Sequence, residues 1–176
     1  QQENLANRET RDTEAKCYLP GVPRITYMPF PFQIIQMPEA TTILYEYVHA
    51  TRYIYTNGSP HPAGPIEWWM GDSRGRWEGD TLVVETKYFN NWHTLRGMPV
   101  ENMTVIETFR RETASKLIYG FTVDDPSVFT AQFSGEYPLS RIDESMYEYA
   151  CHEGNYGMMN ILSGHRAEEA RALAGQ

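Results

Sequence analysis

The run Gly71-Asp72-Ser73-Arg74-Gly75-Arg76-Trp77-Glu78-Gly79-Asp80-Thr81-Leu82-Val83-Val84-Glu85-Thr86 constrains this chain more than any other stretch. It reads as strand, tight turn, strand. Gly79-Asp80 suits a two-residue hairpin connection, because glycine takes a positive φ at the first turn position without steric cost. From Thr81 to Phe89 the chain is rich in β-branched residues, which suit a pleated, half-buried surface. Ahead of the turn, Gly71 and Gly75 bracket Asp72 and Arg74, so backbone can pass close to another element there.

Further strands are predicted on both sides. Phe32–Gln36 follows the extended Pro29-Phe30-Pro31, and Thr41–Val48 and Thr51–Thr56 come next. In Thr41–Val48, Ile43, Tyr45 and Tyr47 share one face, while Leu44, Glu46 and Val48 share the other. Arg52 and Ile54 share a face of the following strand, so a carboxylate and a guanidinium from neighbouring strands can enter one interior and pair. The bland alternative is that these faces are solvated. Residues 57–65 carry Asn-Gly and three prolines and read as a loop. After Phe89 a long polar and aromatic connection leads to strands at Met103–Arg111, Lys116–Asp124, Thr130–Leu139 and Ser145–Cys151. About eight short strands with little helix between them predict an all-β antiparallel meander, and closure into a barrel removes its edges. The expected organisation is a polar N-terminal arm over residues 1–16, a barrel domain over 17–156 and a short helical tail over 157–176. Ser163 is a candidate helix N-cap in the tail.

Composition narrows the functional classes. The net charge is −8 with no Lys/Arg cluster beyond Arg110-Arg111, which gives nucleic-acid binding little electrostatic support. No window is apolar enough to span a membrane as a helix. The chain opens on Gln1 rather than Met, which fits the removal of a leader. Its two cysteines, Cys17 and Cys151, lie near opposite ends. They read either as a disulfide or as two buried thiols of a cytosolic protein, and the lack of C-x-x-C spacing favours the disulfide.

Several runs together carry a resemblance. Gly75-Arg76-Trp77-Glu78-Gly79-Asp80-Thr81-Leu82-Val83-Val84-Glu85-Thr86 is followed by Val105-Ile106-Glu107-Thr108-Phe109 and Thr122-Val123-Asp124-Asp125-Pro126. Upstream stand Cys17-Tyr18-Leu19-Pro20-Gly21-Val22-Pro23-Arg24 and Pro31-Phe32-Gln33-Ile34-Ile35-Gln36, and downstream Tyr149-Ala150-Cys151-His152-Glu153-Gly154-Asn155-Tyr156-Gly157. This pattern resembles a family of secreted, uncharacterised bacterial proteins, over most of the chain from Cys17 onward. The resemblance implies a periplasmic or secreted protein with Cys17 and Cys151 where that family carries cysteines, and it implies no activity. The Gly-Asp hairpin and its Trp also resemble hairpins of calycin-type barrels, the lipocalin and fatty-acid-binding kind, which bears on fold alone.

No G-x-S-x-G elbow and no phosphate-cradling loop occur. None of the five histidines forms an H-x-H or H-x-x-x-H spacing, so no metal site is predicted. A dispersed set of His49, His61 and His93 with a carboxylate is the alternative. No cofactor is expected. Glu46, Glu85 and Glu107 each sit on a strand among mostly apolar neighbours, where burial raises a carboxyl pKa. Arg52 can balance one of them or orient an anionic or carbonyl ligand. Asp72, Arg74, Asn90 and His93 flank the central strands where a barrel mouth would open, and each also has an ordinary role as turn or surface residue. Trp68, Trp69, Trp77 and Tyr45 are candidate pocket walls.

Three functions fit. The first is an exported barrel that binds a small apolar or aromatic molecule in an aromatic-lined pocket. The second is a cofactor-independent acid–base enzyme, an isomerase, lyase or hydrolase, with Glu46 and His93 as proton carriers and Arg52 beside them. The third is an accessory subunit that docks by an aromatic surface. A binder needs only walls and one anchor, so binding is the leading expectation.

Overall fold

The computed structural model of the protein describes residues 3, 6, 7, 10, 12–92, 94–152 and 154–175. Its strands are β1 Phe32–Gln36, β2 Ala40–Tyr45, β3 Thr51–Tyr55, β4 Asp72–Glu78, β5 Thr81–Lys87, β6 Thr104–Thr113, β7 Lys116–Asp124 and β8 Phe133–Ser140. The other elements are a 3-10 turn at Glu14–Lys16, the single-turn α-helix α1 Arg24–Tyr27 and the terminal α2 Gly157–Ala174. The strands lie side by side in chain order in one sheet of eight. Every neighbouring pair is antiparallel except β3–β4, which is parallel through Ile54–Ser73 and Tyr55–Arg74. The proline-bearing loop after β3 crosses over and returns the chain in the same direction. The prolines deny that loop a partner strand of its own.

The expected barrel does not close: the sheet is a curled half-barrel with β1 and β8 as free edges. Pro138 lies within β8, a residue that sheets accept on an edge because it cannot donate to a ladder. Phe133 and Tyr137, on the inward-facing side of β8, remain 40% exposed. In place of strand closure, loop segments fill the concave face. Val22, Ile25, Leu95, Val100 and Met103 join Ile43, Ile54, Leu82, Val84, Val105 and Val123 in one buried core.

Period-two alternation decides the two faces. The concave side carries Ile43 and Tyr45 of β2, Arg52 and Ile54 of β3, Ser73 of β4, Leu82, Val84 and Thr86 of β5, and Val105, Glu107 and Phe109 of β6. Those positions are buried. The Glu78–Thr81 turn falls where the sequence placed it, with Gly79 at φ 64°. Opposite Phe121, β8 presents Gly135, and a Cβ there would lie 2.7 Å from the Phe121 ring. The ring thus covers a glycine that has no side chain to pack.

Two predicted strands change. The strand expected over Thr41–Val48 ends at Tyr45, because Val48 and His49 take positive φ of 45° and 53° and turn the chain. The strand expected over Ser145–Cys151 reduces to a single parallel bridge between Tyr149 and Tyr47. The tail is a longer helix than expected, and none of its described residues is buried. Cys17 and Cys151 form a disulfide across a sequence separation of 134, with Cα atoms 5.2 Å apart.

Candidate functional site

Three places concentrate chemistry. The first is the interior of the half-barrel, where concave-face alternation brings Arg52, Ser73, Thr86 and Glu107 onto four different strands. Arg52 Nη1 donates to Glu107 Oε1 at 3.0 Å and Nη2 donates to Glu107 Oε2, a bidentate pair. Arg52 Nε and Nη2 also donate to Ser73 Oγ at 3.2 and 3.1 Å, and Nη2 donates to Thr86 Oγ1 at 2.9 Å. Tyr119 Oη donates to Glu107 Oε1 at 2.8 Å. Both charged side chains are almost wholly removed from solvent, at 1% and 0% exposure. Burial alone would lower the Arg52 pKa, but the Glu107 carboxylate outweighs it and raises the value. Burial raises the Tyr119 hydroxyl well above its ordinary value, and the adjacent Glu107 raises it further. Burial also raises Tyr45, whose Oη meets Thr26 Oγ1 at 2.9 Å. The pair neutralises and hydrogen-bonds itself, as buried charge requires. Its donors and acceptors point at one another, which suits structure rather than chemistry on a ligand.

The second place lies on the convex face, where β3, β4 and β5 run together beneath the 57–65 loop. His61 from that loop sets Nδ1 2.6 Å from Asp72 Oδ2 and Nε2 3.1 Å from Glu85 Oε1. Arg74 donates from Nε and Nη2 to the two Asp72 oxygens at 2.7 and 2.8 Å, and from Nη1 to Ser59 Oγ at 2.6 Å. Its guanidinium lies over the Tyr55 ring, 4.4 Å from the centroid. Burial pushes the Glu85 carboxyl up, but the hydrogen bond and charge of Lys87, with His61, outweigh it and hold the pKa below the ordinary value. This cluster pins an irregular loop to the sheet.

The third is a cleft of about 530 Å³ beside the disulfide. Tyr149, Tyr156, Met159 and both cysteines wall it, and Lys16 stands at its margin. Tyr149 is fixed from behind by Phe30, 4.2 Å between ring centroids, and by Tyr47 at 5.5 Å. Burial, with Glu14 adding, pushes the Tyr47 hydroxyl up to about 12.

The residues singled out from the sequence are spread over these places and others. Arg52 and Glu107 meet in the interior with Tyr45 beside them, whereas Asp72, Arg74 and Glu85 meet on the opposite face. Glu46 is not the partner of Arg52: it lies past the end of β2, where its Oε1 accepts from the Tyr147 N–H at 2.6 Å. Trp68 bridges to Phe89 through backbone, and Trp69 Nε1 donates to the Leu19 carbonyl at 2.8 Å. Trp77, at the end of β4, is 50% exposed. Asn90 Oδ1 accepts from the Trp92 N–H at 3.2 Å, the turn role open to it from the start. His93 lies outside the described residues. His49 pairs with Glu148 at 3.2 Å, whereas His61 engages Asp72 and Glu85. Among the described residues no group of three or more His, Cys, Asp or Glu side chains is arranged to hold a metal ion.

Sequence reasoning missed Ser73, Thr86 and Tyr119 in the network, and Lys16, Tyr149, Tyr156 and Met159 in the cleft. A signal existed for Thr86, a polar residue continuing the inward-facing series Leu82, Val84. The cleft residues come from the two ends of the chain, and no local pattern joins them.

Comparison with protein-family models, with curated proteins and with solved structures finds no match for this chain. No described helix is long and apolar enough to cross a membrane.

Proposed function

We propose that this is an exported protein of an open, calycin-like kind that binds a small apolar or aromatic molecule in the cleft beside Cys17–Cys151. The observation that carries the reading is the division of space. Core side chains and the Arg52–Glu107 network occupy the interior, while the cleft, at about 530 Å³, has the size of a small-molecule site and two tyrosine walls. A disulfide favours an oxidising compartment. Anilinonaphthalene sulfonate, an aromatic anion, is a suitable probe because Lys16 supplies positive charge at the margin of an aromatic wall. Its fluorescence should saturate at one probe per chain, and Tyr156→Ala should weaken the affinity by about tenfold, as expected when one stacking ring is lost. Equal affinity in the variant, or fluorescence that never saturates, would refute this site.

The acid–base alternative draws support from one geometry, the 2.6 Å contact of His61 Nδ1 with Asp72. It ranks second because Glu85 engages the other ring nitrogen.

A further inference from the structure

We infer that the Cys17–Cys151 bridge is a thiol–disulfide exchange site, a redox latch that a dithiol opens to release the C-terminal wall of the cleft. The inference takes the ligand site from the function proposed above and adds its regulation. It rests on an asymmetry in how the two cysteines are held. On the Cys17 side, Asp12 and Thr13 are buried, and Arg24 grips Asp12 at 2.6 Å and Glu14 at 2.9 Å. The Cys17 N–H donates to the Glu14 carbonyl, and two residues on the Leu19 carbonyl is held by Trp69. That side is part of the folded body without the bridge.

The Cys151 side is different. No described residue after Asp125 is buried. Residues 147–151 meet the body just beyond the end of β2, where the Tyr149 N–H donates to the Glu46 carbonyl at 2.9 Å and the Val48 N–H to the Tyr149 carbonyl at 3.1 Å. The Tyr147 N–H on Glu46 and the Tyr149 ring on Phe30 add to this. With the Tyr149 ring on Tyr47 and His49 beside Glu148, these contacts hold a segment none of whose described residues is itself buried, the kind that opens without global unfolding. Both cysteines are only partly buried and line the open cleft, so an attacking thiolate can reach a sulfur from solvent.

The chemistry balances with a dithiol as co-reactant. Its thiolate attacks one Sγ, a mixed disulfide forms, the Sγ–Sγ bond breaks, and the other cysteine leaves as a thiolate that takes up a proton. The second thiol of the reagent then displaces the bound cysteine. Two protein thiols and one oxidised dithiol result. Tyr149 and Tyr156 thereby lose their tether, and the cleft loses a wall.

The test treats the full chain with dithiothreitol at neutral pH, traps thiols with iodoacetamide at intervals, and follows amide hydrogen exchange by mass spectrometry. The latch predicts both thiols trapped well before β5–β7 amides exchange, and exchange over residues 147–152 faster by at least about tenfold once the bridge is open. Cys151→Ser should give the same pattern without reductant. Reduction that keeps pace only with global unfolding would overturn the inference, and so would unchanged exchange at 147–152 in the reduced protein. Anilinonaphthalene sulfonate separates the two readings. Loss of the probe on reduction supports gating, and its retention with 147–152 released overturns gating. An oxidised protein that never binds the probe sinks the proposed site and leaves the latch to the exchange data.

Discussion

Glu107→Ala is the substitution that most sharply probes why this sheet holds together. The carboxylate is fully buried and takes hydrogen bonds from both terminal nitrogens of Arg52 and from Tyr119. Removing it leaves the Arg52 guanidinium in the interior with neutral hydroxyls such as those of Ser73 and Thr86, and leaves the Tyr119 O–H with the Pro23 carbonyl at 3.4 Å in place of its acceptor at 2.8 Å. Breaking a buried ion pair from one side costs about 3–5 kcal/mol, because an uncompensated charge remains. A domain of this size has about 5–15 kcal/mol of stability in total, so the variant should lose a large share of it. With a shift of about 2–4 °C per kcal/mol, its melting temperature should fall by about 6–20 °C. Urea unfolding at neutral pH, read by tyrosine and tryptophan fluorescence, measures the loss. Arg52→Met/Glu107→Leu should recover much of it, since neither charge then remains buried. A loss below about 1 kcal/mol for Glu107→Ala would refute the reasoning, since that is the value of a solvated pair.

Other perturbations follow from single contacts. The Tyr47 hydroxyl is raised to about 12 in the fold against an ordinary 10, so the folded state holds its proton more tightly. Its contribution to stability is complete below pH 10 and is lost as pH rises through about 12, and Tyr47→Phe should abolish that loss in alkaline unfolding curves. Glu85 behaves in the opposite sense: its lowered pKa supports stability above the ordinary carboxyl value, and that support fades as pH falls through the folded value. Lys87→Met should weaken this acid dependence. At Gly71, φ is 71° and an added Cβ would lie 2.6 Å from Thr86 Cγ2, so Gly71→Ala should cost at least about 2 kcal/mol in the same urea assay. Cross-linking over 134 residues is worth about 5 kcal/mol in the chain-entropy model. Cys17→Ser/Cys151→Ser should cost clearly less than that, because the native state also gains freedom when its C-terminal segment is released.

The local rules were readable wherever one residue and its near neighbours set the outcome. Phe32–Gln36 and Lys116–Asp124 coincide with β1 and β7, because alternation and β-branching act within a few residues. The inward pairing of Arg52 with a glutamate followed from the pleat, but which of Glu46, Glu85 and Glu107 it meets did not. Glu46 and Glu107 have similar local surroundings, and only the register of β2 through β6 makes Glu107 reach the guanidinium. Val48 looks like strand continuation and adopts a left-handed conformation instead, a tertiary override at a residue of high β propensity.

The sequence by itself determined most of the strands and turns and which side chains of a strand share a face, since these depend on φ/ψ preference and on a period of two residues. It also determined that two cysteines were present to pair. Only the tertiary structure decided that the sheet stays open, that β3 and β4 run parallel, and that the interior is filled by charge and core rather than hollow. Those outcomes depend on how segments distant in the chain compete for one concave surface. Here the stretch from Val22 to Ile25 and the loop through Leu95, Val100 and Met103 occupy it, and no residue spacing records that competition.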